Sequence, residues 1–349
     1  MSTEHAYEVV SSSVKMKRIL WIDCCRVLAM FSIVYGHSII IMPPDRRLWD
    51  ALVMGPFWDA SAPPVTVLMY FFLSGCLQHT HAKYLDFRKF FFLAIPLVVW
   101  NLMQVLLVSA IGTQYGIADR GLIPWLPNAN GPLWFLELLA WLSLFIPIIL
   151  KIPAISRLLA SCTGLIAVIV LHNILGHSLW EPMCLRITEI SVFVLGTSLN
   201  GQGLAKFSRF IYHAGPWILL FDGYMFFKAF YAEYALNITG TLYSIVGIAV
   251  VLSYGAVLAR FCPKVCRWIA QWAPAVFFIY AAHWPLFTLW RKIEESFGFS
   301  RLSGQMNILY TIICLIVCCL IWKHAIKSLP AKLLEWIFLT KKPRTKETS

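Results

Sequence analysis

The sequence is short of charge. Only 13% of its 349 residues are Asp, Glu, Lys or Arg, and the acidic ones number 17. Water-soluble domains usually carry about a quarter charged residues, so there is too little polar surface here to cover one of this length. No small-residue cleavage site follows a short apolar core near the N-terminus, so the first apolar segment reads as an uncleaved signal anchor. The "CPKVC" pair, Cys262 and Cys266, has no second pair at zinc-site spacing, and no metal site is indicated. The other cysteines are scattered, mostly in apolar segments, where Cys behaves as a small hydrophobe. No polar stretch suggests a second domain. No internal repeat stands out either, which weighs against a transporter built from matching halves.

What fills the chain instead is apolar: 59% hydrophobic residues and a mean hydropathy of +0.72. This material falls in ten blocks, near 19–42, 63–79, 90–111, 133–150, 158–175, 187–200, 212–230, 241–259, 272–290 and 306–322. Most have the length a helix needs to cross about 30 Å of hydrocarbon. The expected fold is all-α, a polytopic transmembrane helical bundle of about ten helices. A cytoplasmic tail (1–18) would precede the membrane domain (19–323), and a basic cytoplasmic tail (324–349) would follow it. Within that last segment, "LPAKLLEWIFLTKKPRTK" is amphipathic and basic, a pattern suited to an anionic inner leaflet.

The net charge of +12 would suit nucleic acid, but its placement argues against that partner. With the N-terminus inside, twenty Lys and Arg fall on the cytoplasmic side and seven outside, leaving Arg26 and Lys228 within helices. That is the positive-inside pattern, and it sets both termini in the cytoplasm. "NIT" at Asn237 matches a glycosylation acceptor pattern but carries no weight in a bacterial-type inner membrane.

Against this background the segment "DCCRVLAMFSIVYGH" stands out, because ionisable groups in a bilayer cost about 2.5–3.5 kcal/mol each. Arg26 and His37 are eleven positions apart, which at about 100° per residue returns them to within roughly 20° of one face. Asp23 lies one turn before Arg26 and can pair with it, offsetting the burial of both. One face of the first helix therefore looks into a polar cavity, or else carries an Asp–Arg pair and a His that each reach an interface. Glu137, in "GPLWFLELLAWL", and His283, in "FFIYAAHWPLF", are expected at the depth of His37. Two imidazoles and a carboxylate at one depth could transfer protons; each could equally be a helix–helix hydrogen bond. Arg88 and Lys89 open the third block, where they could hold phosphates or simply set topology. Glu189, Asp222 and Lys228 read as structural.

Taken in order, "WIDCCRVLAMFSIVYGHS", "YFFLSGCL", "RKFFFLAIP", "GPLWFLELL", "VFVLGTSL" and "FFIYAAHWPLF" resemble the signature segments of the membrane-bound acyltransferase 3 family. The resemblance spans about residues 18–325, and the Arg26–His37 spacing is its most specific element. Members of that family are inner-membrane O-acyltransferases of cell-surface glycans, with about ten transmembrane helices. The resemblance implies catalysis by His37 supported by Arg26, and Asp23, one turn before Arg26, could fix the geometry of that side chain. It implies an acyl-CoA donor, acetyl-CoA first among them, that arrives from the cytoplasm as a substrate; no bound cofactor is implied. It also implies an acceptor hydroxyl on a cell-surface polysaccharide or its lipid-linked precursor. His37 would act as general base or as a covalent acyl relay, and Arg88 and Lys89 would meet the donor. Glu137 and His283 would bind the acceptor or relay a proton, with Trp134 and Trp284 offering flat faces to a sugar. One departure is visible: the family commonly places a further Arg about a turn after the basic pair, where this chain has Phe91, Phe92 and Leu93. The rival reading is a secondary transporter or flippase using the same buried polar residues.

Overall fold

The computed structural model describes residues 19–41, 65–78, 84–112, 131–175, 177–200, 202–232, 240–297 and 305–339. The expected N-terminal tail, the external loops holding Arg46, Arg47, Arg120 and Arg301, Asn237 and the last ten residues lie outside them. Every one of the ten apolar blocks is helical. The elements are α1 (Leu20–Ile41), α2 (Val65–Cys76), α3 (Phe87–Ile111), α4 (Trp134–Ile149), α5 (Ala154–Leu175) and α6 (His177–Ser198). They continue with α7 (Gln202–Ala232), α8 (Gly240–Phe261), the short α9 (Pro263–Ala270), α10 (Val276–Ser296), α11 (Gln305–His324) and α12 (Ala331–Phe338). No strand occurs among the described residues.

Three described stretches are long and apolar enough to cross a bilayer: Leu20–Ser38, Phe87–Ile111 and Pro263–Ser296. Over the described residues the other helices fall short in length or in apolar character. The 12 residues of α2 cover only about 18 Å at 1.5 Å per residue. Length and apolar composition together support three spans among the described residues rather than the expected ten.

The surface suits a lipid solvent. On α3, Phe91, Ile95, Val98, Leu102 and Leu106 form an exposed apolar stripe, while Asn101 and Gln104 are buried on the other face. In water that stripe would be an aggregation site; in hydrocarbon it is the natural exterior. Asp86 caps the start of α3 by accepting from the Lys89 backbone N–H at 3.1 Å. Gly112 ends the helix in the left-handed region, φ 62°, which costs a glycine little.

The hub of the bundle is α1, which packs against α2, α8, α9, α10 and α11. Outside this group α5 pairs with α6, α6 with α2, α7 with α8, and α3 with α4. A close crossing joins α2 and α6 through two glycines. A methyl on Gly75 would overlap the Phe193 carbonyl oxygen, and one on Gly196 would overlap that of Phe72. Small residues of this kind let helix backbones touch where the lipid supplies no hydrophobic drive to association.

The basic C-terminal segment is helical over Ala331–Phe338, and one face of it enters the bundle. Phe338 is buried among Trp100, Phe278 and Trp322, and Trp336 meets Phe92 of α3.

Candidate active site

On α1 the expected Asp23–Arg26 pair is present, Arg26 Nη1 lying 3.5 Å from Asp23 Oδ1. Asp23 is buried, whereas 38% of the Arg26 side chain stays accessible. The Tyr70 hydroxyl of α2 donates to the Arg26 backbone carbonyl, tying the two helices at this level. A carboxylate behind and a tyrosine beside leave the guanidinium aimed along one course.

That course is a cavity of about 150 Å³. Arg26, Met30 and Ile33 of α1 line one wall, on the stripe whose next member is His37. Tyr70 and Ser74 of α2, Phe135, Leu136 and Leu139 of α4, and Val276 and Tyr280 of α10 enclose the rest. Leu93 of α3 also borders it; Lys89 sits one turn earlier on that helix, its Nζ 3.0 Å from Gln78 Oε1. Arg88, the other cation expected at the donor mouth, is exposed. Where the family commonly has its further Arg, Phe91 is exposed, Phe92 meets Trp336, and Leu93 forms apolar wall.

The far end of the cavity stops a turn short of two histidines. His37 Nδ1 and His283 Nε2 are 2.7 Å apart, and the ring planes differ by 3° with centroids 5.0 Å apart. Parallel rings with nitrogens at hydrogen-bond distance meet edge to edge in a shared plane, not face to face. His283 Nδ1 lies 3.1 Å from the Ile279 carbonyl oxygen, one turn back on α10. Trp284 packs against His37 with the ring planes at 88° and the centroids 5.5 Å apart. Thr311 of α11 reaches Ser38 at 3.4 Å, and Gln104 of α3 donates to Thr288 at 3.2 Å, bracing α1 and α10 on either side.

Arg26 and His37 share a face without touching; eleven residues of helix separate their backbones by about 16 Å. Glu137 is buried one turn into α4. The hydroxyl of Tyr280 donates to the Pro132 carbonyl, drawing the start of α4 toward α10. Trp134 meets a partner that the sequence left unassigned. The Arg186 guanidinium lies 4.4 Å from the Trp134 ring centroid and pairs with buried Glu189 at 3.1 Å. Arg186 is one of the seven cations that the charge pattern places outside and Glu189 reads as structural, so only their three-residue spacing hints at a pair. Asp222 joins none of these contacts among the described residues, and the Lys228 side chain lies outside them.

A family model described as an acyltransferase domain, acyltransferase 3, matches residues 19–323. The chain belongs to the acyltransferase 3 family. No curated protein and no solved structure matches it. Within this acyltransferase the segments that carry the resemblance converge in space. Arg26 of "WIDCCRVLAMFSIVYGHS" and Ser74 of "YFFLSGCL" share the cavity with Leu136 of "GPLWFLELL" and Tyr280 of "FFIYAAHWPLF". Gly75 of "YFFLSGCL" and Gly196 of "VFVLGTSL" form the crossing beside it. Membership in a membrane acyltransferase family, together with the apolar helices, makes the protein an integral membrane acyltransferase.

Proposed function

We propose that this acyltransferase moves an acetyl group from acetyl-CoA to a hydroxyl of a cell-surface polysaccharide or its lipid-linked precursor. In this reading the protein has about ten spans with both termini in the cytoplasm of a bacterial-type inner membrane. The observation that carries it is the cavity on the Arg26–Met30–Ile33 stripe. Its lining is apolar enough for a pantetheine arm. Lys89 stands one turn from Leu93 at one end, and His37 lies one turn beyond Ile33 at the other. Lys89 and Arg88 would meet donor phosphates, and Arg26 would meet polar groups of the arm.

At the far end a neutral His37 would take the proton of the acceptor hydroxyl as its oxygen attacks the thioester carbon. The new C–O bond forms and the C–S bond breaks. The proton held on the imidazole then passes to the departing CoA thiolate. A covalent acyl-His relay would use the same group in two steps. Trp134, with Arg186 across one face, and buried Glu137 would form the acceptor side.

The test is transfer of radiolabel from acetyl-CoA into the glycan fraction by membranes containing the protein. Membranes lacking it serve as the comparison. Protein-dependent incorporation supports the reading. Donor left intact in the presence of native acceptor membranes would overturn it and favour the transporter reading.

A further inference from the structure

We propose that His283 is a positioning residue that fixes the tautomer of His37, placing the proton-accepting lone pair on His37 Nε2. This deepens the reading of His37 as the base and rests on it. The Ile279 carbonyl oxygen lies 3.1 Å from His283 Nδ1. A carbonyl oxygen only accepts, so Nδ1 of His283 carries a hydrogen. A neutral imidazole carries one such hydrogen, which leaves the lone pair of His283 on Nε2.

That lone pair points in the ring plane, and 2.7 Å away in the same plane lies His37 Nδ1. Two nitrogens at that distance need one proton between them. His283 Nε2 has none to give, so His37 Nδ1 supplies it. The second nitrogen of His37, Nε2, is then the basic one.

The direction of this chain is set by the backbone of α10 and needs no ion in the bundle. His283 is fully buried, and a neutral chain avoids the cost of a charge there. When His37 Nε2 takes a proton, the cation forms on a ring already donating to His283, and that hydrogen bond becomes charge-assisted. His283 therefore supports His37 twice: it orients the ring in the resting enzyme and holds the imidazolium during transfer. The perpendicular contact with Trp284 restricts the swing of the His37 ring.

The test uses the full-length protein labelled with ¹⁵N-histidine, with the His37 resonances identified by their loss in His37→Ala. The expected native spectrum shows His37 protonated at Nδ1 and bare at Nε2. In His283→Gln an amide oxygen can stand where Nε2 stood, so the tautomer and the turnover rate should persist within about tenfold. His283→Leu removes the acceptor; His37 should then populate the other tautomer and kcat should fall about 100-fold, with both KM values unchanged.

A native spectrum with the hydrogen on His37 Nε2 would overturn the proposal, and so would a His283→Leu spectrum and kcat like the native ones. Should His283→Leu fail to accumulate, the native spectrum decides alone. Full activity in His37→Ala would overturn the base assignment instead, and the spectrum would still report whether His283 sets the tautomer.

Discussion

Leu339, just past the last described helix, and Arg26, near the start of the first, line the same cavity. Leu339 adopts φ 51°, the left-handed region that ordinary residues seldom occupy, and its N–H donates to the Leu334 carbonyl to close α12. Burial of Phe338 beside it holds it there. Leu339→Ala should widen the cavity without unlocking α12. The expected result is a several-fold rise in KM for acetyl-CoA with kcat nearly unchanged, because packing against the pantetheine arm is lost. Steady-state kinetics with varied donor measures it. Phe338→Ala should act differently, lowering thermal stability by about 3 kcal/mol through the emptied aromatic cluster.

Arg26 and Asp23 should not contribute equally. Arg26 faces the cavity and Asp23 only backs it. Arg26→Ala is expected to lower kcat/KM for the donor by about 100-fold, the worth of a charge-assisted contact. Asp23→Asn should lower it by less than about tenfold, and the double variant should be no worse than Arg26→Ala alone. Steady-state kinetics on the three variants checks the ordering.

Lys89 lies one turn before Leu93 of the cavity wall, its Nζ donating to Gln78 Oε1 at 3.0 Å. Lys89→Ala should raise KM for acetyl-CoA several-fold with kcat nearly unchanged, and added salt should narrow the difference from the native enzyme. An unchanged KM at low salt would remove Lys89 from the donor site.

The glycine crossing gives a prediction about stability alone. Gly75→Ala and Gly196→Ala each push a methyl into the backbone of the partner helix. Each should cost about 1–3 kcal/mol, the usual range for overpacking, and reduce the monodisperse fraction on extraction. Gly203→Ala is the control, because a methyl there meets only the Leu199 side chain and Ser198 oxygen at ordinary contact distances of 3.6–3.8 Å. It should shift stability by no more than about 0.5 kcal/mol.

The parts of this architecture written in local pattern were legible in the sequence. All ten apolar blocks are helices, because block length and composition act within one segment. The Asp23–Arg26 pair and the Arg26–His37 stripe follow from helical spacing alone. A shared depth for His37 and His283 was readable, but their 2.7 Å contact was not, since it depends on how α1 and α10 are rotated. The same limit hid Arg186 over Trp134, two residues brought together by separate helices. For the C-terminal segment, an amphipathic basic pattern reports that one face is apolar without saying what covers it. Here that face meets α3, α10 and α11 around Phe338.

The most direct measurement of the central claim compares acetyl transfer by the native protein and by His37→Ala at matched membrane levels, with acetyl-CoA as donor and native glycan as acceptor. A positioned general base is worth roughly 10²–10⁴-fold, so incorporation should fall by at least about 100-fold while the variant still extracts as a folded protein. Incorporation at the native rate from His37→Ala would contradict the assignment of the chemistry to this end of α1.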